Sequence, residues 1–92
     1  MGVRAQDIES ALQAALSPTS LHVVDDSHQH VGHAGAREGG HFSVRIRSAA
    51  FVGLTRVARH RLVYDALHRL IPSGIHALAI EAAAPDETGA TS

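Results

Sequence analysis

The sequence predicts a small α+β domain with the element order α-β-β-α-α-β, a three-stranded mixed sheet and helices on one face. Three observations lead to this prediction. A helix-period stripe opens the chain, two strand-like segments follow it, and a second helical region precedes a third strand. With 92 residues and 45% hydrophobic content, the chain is expected to form one domain over residues 1–84. A disordered polar tail is expected over residues 85–92.

The first helix and the first two strands follow from the spacing of apolar residues. Over residues 4–16 apolar side chains recur every four positions, which is typical of an amphipathic helix, and Pro18 lies just beyond its end. Residues 21–26 contain adjacent β-branched side chains and indicate a short strand. Residues 42–47 alternate between apolar and polar types. The core face of this second strand is therefore expected to carry Phe42, Val44 and Ile46.

The segment between these two strands differs from both of them. Residues 27–40 contain four glycines and are too long for a tight hairpin turn. A connection of this length and composition indicates an irregular loop with a functional role.

Helical spacing returns after Ser48. It predicts a short helical turn near residues 54–58 and then a longer helix that ends near Pro72 and Gly74. Residues 75–83 are the third predicted strand. Strands two and three are joined through helices and should therefore be parallel, whereas strands one and two should pair antiparallel.

The composition excludes several classes of function. The chain has no cysteine, which excludes a disulfide framework, a thiolate zinc finger and a self-contained iron–sulfur cluster. It also has no lysine, no phosphate-binding loop, no HExxH pattern and no nucleophile elbow, so an enzyme is not expected. The first residues lack an apolar signal region and no 18-residue apolar run occurs, which predicts a cytoplasmic protein without a membrane partner.

Positive charge is concentrated in the middle of the chain. Residues 37–69 hold seven of the eight arginines and only two acidic residues. A basic segment of this kind can bind nucleic acid, although a helix start held by local ion pairs gives the same count. The candidate phosphate contacts at the start of the predicted helix are Arg56, Arg59, His60 and Arg61.

Histidine is the most unusual component of the sequence. Four of the eight histidines fall between residues 27 and 41, namely His28, His30, His33 and His41. Spacings of two and three in such a loop can bring two imidazoles to one ion, and neutral imidazole suits iron, zinc, copper or nickel. The alternatives are a solvated glycine-rich linker and, for His41, a hydrogen-bonding role at the end of a strand.

His76 stands at the beginning of the third predicted strand. If Leu78 and Ile80 face the core, period-two alternation places His76 on the same face. It could be a core-edge histidine that is hydrogen-bonded to a backbone carbonyl, or a ligand at a rim that the histidine loop can reach. Sequence spacing does not separate these two roles.

One long segment also resembles a known family. The histidine loop is followed by GGHFSVRIRSAAFVGLTRVARHRLVYDALHRLIPSGIHALAIEAAAP, and together they strongly resemble the BolA family over about residues 5–86. The resemblance implies a fold similar to the class II KH domain, partnership with monothiol glutaredoxins, and roles in iron–sulfur trafficking, iron sensing or transcription. Residues 53–56 lack the second glycine of a GXXG loop, so KH-type RNA binding is not expected.

The resemblance further implies a ligand set. His76 matches the histidine of the family's HAL motif, which ligates a 2Fe-2S cluster bridged to glutaredoxin. His30 and His33 are the candidates for the second ligand, and His28 is a weaker third. Glutaredoxin and glutathione would supply two thiolates, so the cluster belongs to a heterodimer and the free chain, a monomer or weak homodimer, carries none. The alternative partner is DNA, bound through Arg56, Arg59, His60 and Arg61.

Overall fold

A computed structural model describes residues 3–26 and 40–87 of the chain. Residues 27–39, which make up most of the predicted loop, and residues 88–92 lie outside the described residues. The elements in chain order are α1 (Ala5–Leu16), β1 (Ser20–Asp25), β2 (Gly40–Arg47), a 3-10 turn (Ala49–Phe51), α2 (Arg56–Ala66), α3 (Ile71–Gly74) and β3 (Ile75–Ala83).

Helix α1 packs through the stripe that its sequence predicts. Ile8 and Leu12 are fully buried, and both belong to the main hydrophobic core. At the first turn the backbone N–H of Arg4 donates to the Asp7 carboxylate over 2.8 Å, which places a negative charge at the positive end of the helix. The helix ends at Leu16, and the capping residue that follows it, Ser17, has a φ of 44° in the left-handed region.

The three strands form one mixed sheet in the order β1-β2-β3, and both predicted pairings are confirmed. β1 pairs antiparallel with β2, with Val23 opposite Val44. β3 pairs parallel with β2, with Ile80 opposite Val44. The predicted core positions of β2 are also confirmed, since Phe42, Val44 and Ile46 are each only 2% exposed or less.

The lengths of the later helices differ from the prediction. α2 is one continuous helix from Arg56, where the hydroxyl of Thr55 accepts the N–H of Ala58 over 3.1 Å, and α3 is only four residues long. The apolar pattern continues past the end of α2 because Leu67 lies in the turn between the helices and is still fully buried. The helix-like spacing of apolar residues therefore continues through a turn that is not helical.

The helices cover one face of the sheet, and the core lies between them. The buried hydroxyl of Ser48 donates to the carbonyl of Leu16 over 2.6 Å, which ties the end of α1 to the end of β2. We call the opposite face, which none of the described elements covers, the open face, and its side chains are those of His22, Val24, His41, Ser43, Arg45, Ala77, Ala79 and Glu81. Among the described helices, none is both long enough and apolar enough to cross a bilayer.

Candidate functional site

A β-bulge at the start of β3 sets the orientation of His76. Gly40 pairs with Ile75 and His41 pairs with Ala77, so His76 is the extra residue between two pairs. Ile75 is buried, whereas His76 and Ala77 are both exposed. The predicted placement of His76 on the core face is wrong, because the bulge shifts the alternation of the strand by one residue.

His41 lies beside His76. Their ring centroids are 5.2 Å apart and the ring planes are tilted by 40°. The sequence predicts only a strand-end hydrogen-bonding role for His41 and does not predict this neighbour. The signal was available, because parallel strands begin at the same edge of a sheet, and both histidines stand at the beginning of their strands.

The end of β1 is fixed next to this histidine pair. The backbone N–H of Asp26 donates to the carbonyl of His41 over 2.7 Å, and the Asp26 carboxylate accepts the hydroxyl of Ser43 over 2.5 Å. Both residues that flank the segment 27–39, Asp26 and Gly40, therefore lie at the His41 end of the sheet. The predicted ligands His30 and His33, and the weaker candidate His28, belong to that segment and lie outside the described residues.

The spacing of the histidine pair is compatible with joint metal ligation. Two imidazoles bound to one tetrahedral ion at about 2.0–2.1 Å have their ring centroids roughly 5 Å apart. The observed separation of 5.2 Å is close to this value. Across residues 3–26 and 40–87, no three histidine or acidic side chains come together as a metal site. The described residues thus bring two imidazoles together at this edge of the sheet.

The candidate nucleic-acid contacts do not share one surface. Arg56 and Arg61 are exposed and His60 is partly buried, but Arg59 is only 7% exposed. Its guanidinium donates to the carbonyl of Leu54 over 3.0 Å and to the carbonyl of Ala82 over 3.3 Å. Arg59 thus joins α2 to β3 and does not face solvent as a phosphate contact requires.

Arg59 also forms an ion pair with the segment that follows β3. One of its nitrogens, Nη1, lies 2.6 Å from Oε1 of Glu87, and that oxygen accepts the N–H of Ala84 over 2.5 Å. Arg47 donates to the carbonyls of Pro85 and Glu87. Residues 85–87, where the sequence predicts the start of a polar tail, therefore make hydrogen bonds with two arginines of the folded domain.

Glu87 contributes to the stability of the fold in a pH-dependent way. Its pKa lies below the ordinary value of 4.5, first because its carboxylate accepts the Arg59 hydrogen bond and second because it accepts that of Ala84. A carboxyl whose pKa is lower in the folded state stabilises the fold above the unfolded-state pKa, and this contribution is lost as the pH falls through 4.5 to the folded-state pKa.

We therefore expect the free energy of unfolding of the wild-type protein to fall more steeply than that of Glu87→Gln between about pH 6 and about pH 3. Urea unfolding at several pH values measures both slopes. Asp86→Asn is the matched control, because it removes a neighbouring exposed carboxylate and should keep the wild-type pH dependence. Equal slopes for the wild-type protein and Glu87→Gln would contradict the role of this carboxylate.

Comparison with known proteins identifies the family. Residues 12–87 match the family model described as BolA-like protein. The chain belongs to the BolA family. The solved structure of BolA1 from Arabidopsis thaliana superimposes on this BolA chain with a TM-score of 0.81 and 40% identity, covering 97% of this chain and 99% of that one.

Other relatives of this BolA chain carry different names. It is 44% identical over 93 residues to the chloroplastic and mitochondrial SufE-like protein 1 of Arabidopsis thaliana. This match includes 95% of the present chain but only 25% of the length of that relative. It is 40% identical over 73 residues to the DNA-binding transcriptional regulator BolA of Escherichia coli, covering 79% of this chain and 68% of the relative. The BolA domain therefore occurs both in short proteins and as part of longer ones.

Proposed function

We propose that this BolA-family protein co-ligates a 2Fe-2S cluster with a monothiol glutaredoxin, as a carrier or sensor in iron–sulfur metabolism. The observation that supports the proposal is the pair of imidazoles at the edge of the sheet, His41 and His76, at a ring spacing that suits one ion. The exposure of His76 also supports it, because an imidazole that is shared with a partner protein must be accessible.

In this proposal the chain supplies imidazole nitrogens, and the partner supplies thiolates from its cysteine and from glutathione. His76 is one ligand, and His30 and His33 are the candidates for the second ligand that the family resemblance implies. His41 is added as a further candidate by its position beside His76. A cluster held partly by neutral imidazoles carries out one-electron chemistry at a higher potential than one held by thiolates alone.

Anaerobic reconstitution with glutaredoxin, glutathione, iron and sulfide tests the proposal. Visible absorption and circular dichroism report the cluster, and size-exclusion chromatography reports the one-to-one complex. We expect His76→Ala to lose the spectrum of the bridged cluster, and one of His30→Ala, His33→Ala or His41→Ala to lose it as well. His68→Ala is the control, because His68 is exposed in the turn after α2 and does not belong to the open face.

The outcomes are distinct. A heterodimer whose cluster spectrum is unchanged in His76→Ala would remove His76 from the ligand set. A wild-type chain that forms no heterodimer and leaves the glutaredoxin spectrum unchanged would overturn the proposed function. Because protonated imidazole cannot ligate, the bridged cluster should also become less stable at acidic pH.

DNA binding is the second candidate function. It is supported by the name of the Escherichia coli relative and by the exposure of Arg56 and Arg61 at the start of α2. Affinity for a DNA duplex should then fall steeply with salt concentration and fall further in the double variant Arg56→Ala/Arg61→Ala. Salt-independent or absent binding would leave this candidate without support.

A further inference from the structure

The open face of the sheet carries a shallow depression that no element of the described chain covers. Its wider part has a volume of about 490 Å³ between β1 and β3, and a second part of about 290 Å³ continues to His41. Ser43 and Ala79 line both parts, so the two form one trough along the face. Side chains at its floor are small, namely Ser43, Ala77 and Ala79.

The composition of this trough is typical of a protein–protein interface. Val24 lies on β1 at the side of the trough, level with Ser43 and Ala79, and 52% of its apolar surface is left exposed by the described residues. The rim at the far end is polar and is formed by the ion pair between Arg45 and Glu81, at 2.8 Å. An apolar centre with a polar rim is the general plan of a protein interface.

The charge of the face argues against a nucleic acid as its occupant. Arg45 is neutralised by Glu81, and Asp26 adds a negative charge near His41. The arginines at the start of α2, Arg56 and Arg61, do not line this trough. A phosphate backbone needs a surplus of cationic side chains, which this face does not supply.

The trough is continuous with the histidine pair. His41 lines its narrower part, and Ala77, which pairs with His41, follows directly after His76. A partner that adds thiolates to an ion on these imidazoles must approach from their exposed side. The helices cover the other face of the sheet, so the open face is the broad surface that the described elements leave exposed beside the histidine pair.

We propose that the open face is the docking surface for the thiolate-donating partner, with Val24 and Ala79 at the centre of the contact. This inference rests on the proposed function, and it adds the surface on which the partner binds. It places the contact surface along the sheet from the histidine pair to the Arg45–Glu81 pair, and it leaves α2 outside the interface.

Ala79→Arg tests the docking surface directly. Ala79 is exposed, so the larger side chain should leave the thermal midpoint unchanged while it fills the trough. A metal-free monothiol glutaredoxin with glutathione is the probe, and isothermal titration gives its Kd. We expect Ala79→Arg to weaken binding at least about tenfold, whereas the matched control Ala14→Arg, on the exposed side of α1, should change it less than about twofold.

A second variant and a second measurement separate the possible failures. Val24→Ser shortens the central apolar side chain without adding bulk and should also weaken docking. If Ala79→Arg and Val24→Ser both bind glutaredoxin like the wild-type chain and form the bridged cluster, the docking surface is wrong while the proposed function stands. If the wild-type chain binds no glutaredoxin and forms no bridged cluster, both fail together.

Self-association is tested in the same series. Sedimentation of the free wild-type chain shows whether a second copy covers the open face. A wild-type dimer that Ala79→Arg converts to a monomer, with glutaredoxin affinity unchanged, would assign the trough to a second copy and overturn the proposal.

Discussion

Val44→Asp is expected to abolish the cooperative thermal unfolding of this domain. Val44 is 2% exposed at the centre of the middle strand, where it lies opposite Val23 on one side and Ile80 on the other. The substitution removes the buried valine side chain and places a carboxylate without a hydrogen-bonding partner in an apolar layer. Together these two effects lower the free energy of unfolding by more than about 4 kcal/mol. That is a large share of the stability of about 5–15 kcal/mol that is usual for a small domain.

Val57→Asp is the matched control, because it makes the same change at a valine that is 67% exposed in the first turn of α2. A carboxylate is favourable at the beginning of a helix, so this variant should melt like the wild-type protein. Circular dichroism during heating compares the two. A cooperative melt of Val44→Asp near the wild-type temperature would contradict the assignment of this face to the core.

Arg59→Ala is expected to destabilise the fold by about 2–4 kcal/mol, because it leaves the carbonyls of Leu54 and Ala82 without their hydrogen-bond donor. It also releases the carboxylate of Glu87 from its ion pair. Arg61→Ala, which removes an exposed guanidinium two positions along the same helix, should change the stability by less than about 0.5 kcal/mol.

Denaturant titration of both variants gives the two free energies. The pair also separates a structural role from a DNA-binding one. If Arg59→Ala kept full stability but lost DNA affinity, Arg59 would be a phosphate contact and its inward orientation would be contradicted. If Arg61→Ala lost DNA affinity with unchanged stability, DNA binding would be assigned to the exposed part of α2.

Much of the fold can be predicted from local patterns. The stripe of α1, the alternation of β2 and the limits of β3 depend on side-chain periodicity within one element, and the structure has them where they are expected. The strand pairing follows from how the elements are connected. The division between α2 and α3 could not be predicted, because Leu67 is buried in a turn as fully as it would be in a helix.

The site could be predicted only in part. His76 is singled out by its position at the start of a strand, but its orientation depends on a bulge that involves Gly40 and His41, which are distant in sequence. The same holds for Arg59, whose burial depends on carbonyls of Leu54 and Ala82 and on the carboxylate of Glu87. Charge counting along a helix cannot detect such partners, because they come from other elements.

The placement of the two imidazoles on different strands has a thermodynamic consequence. His41 belongs to β2 and His76 to β3, and only the parallel pairing of these strands brings their rings within 5.2 Å. Any ion that is held by both therefore binds the native state and not the unfolded chain, so its binding free energy adds to that of folding. By the same linkage, a substitution that loosens the β2–β3 ladder far from the histidines lowers the affinity for such an ion.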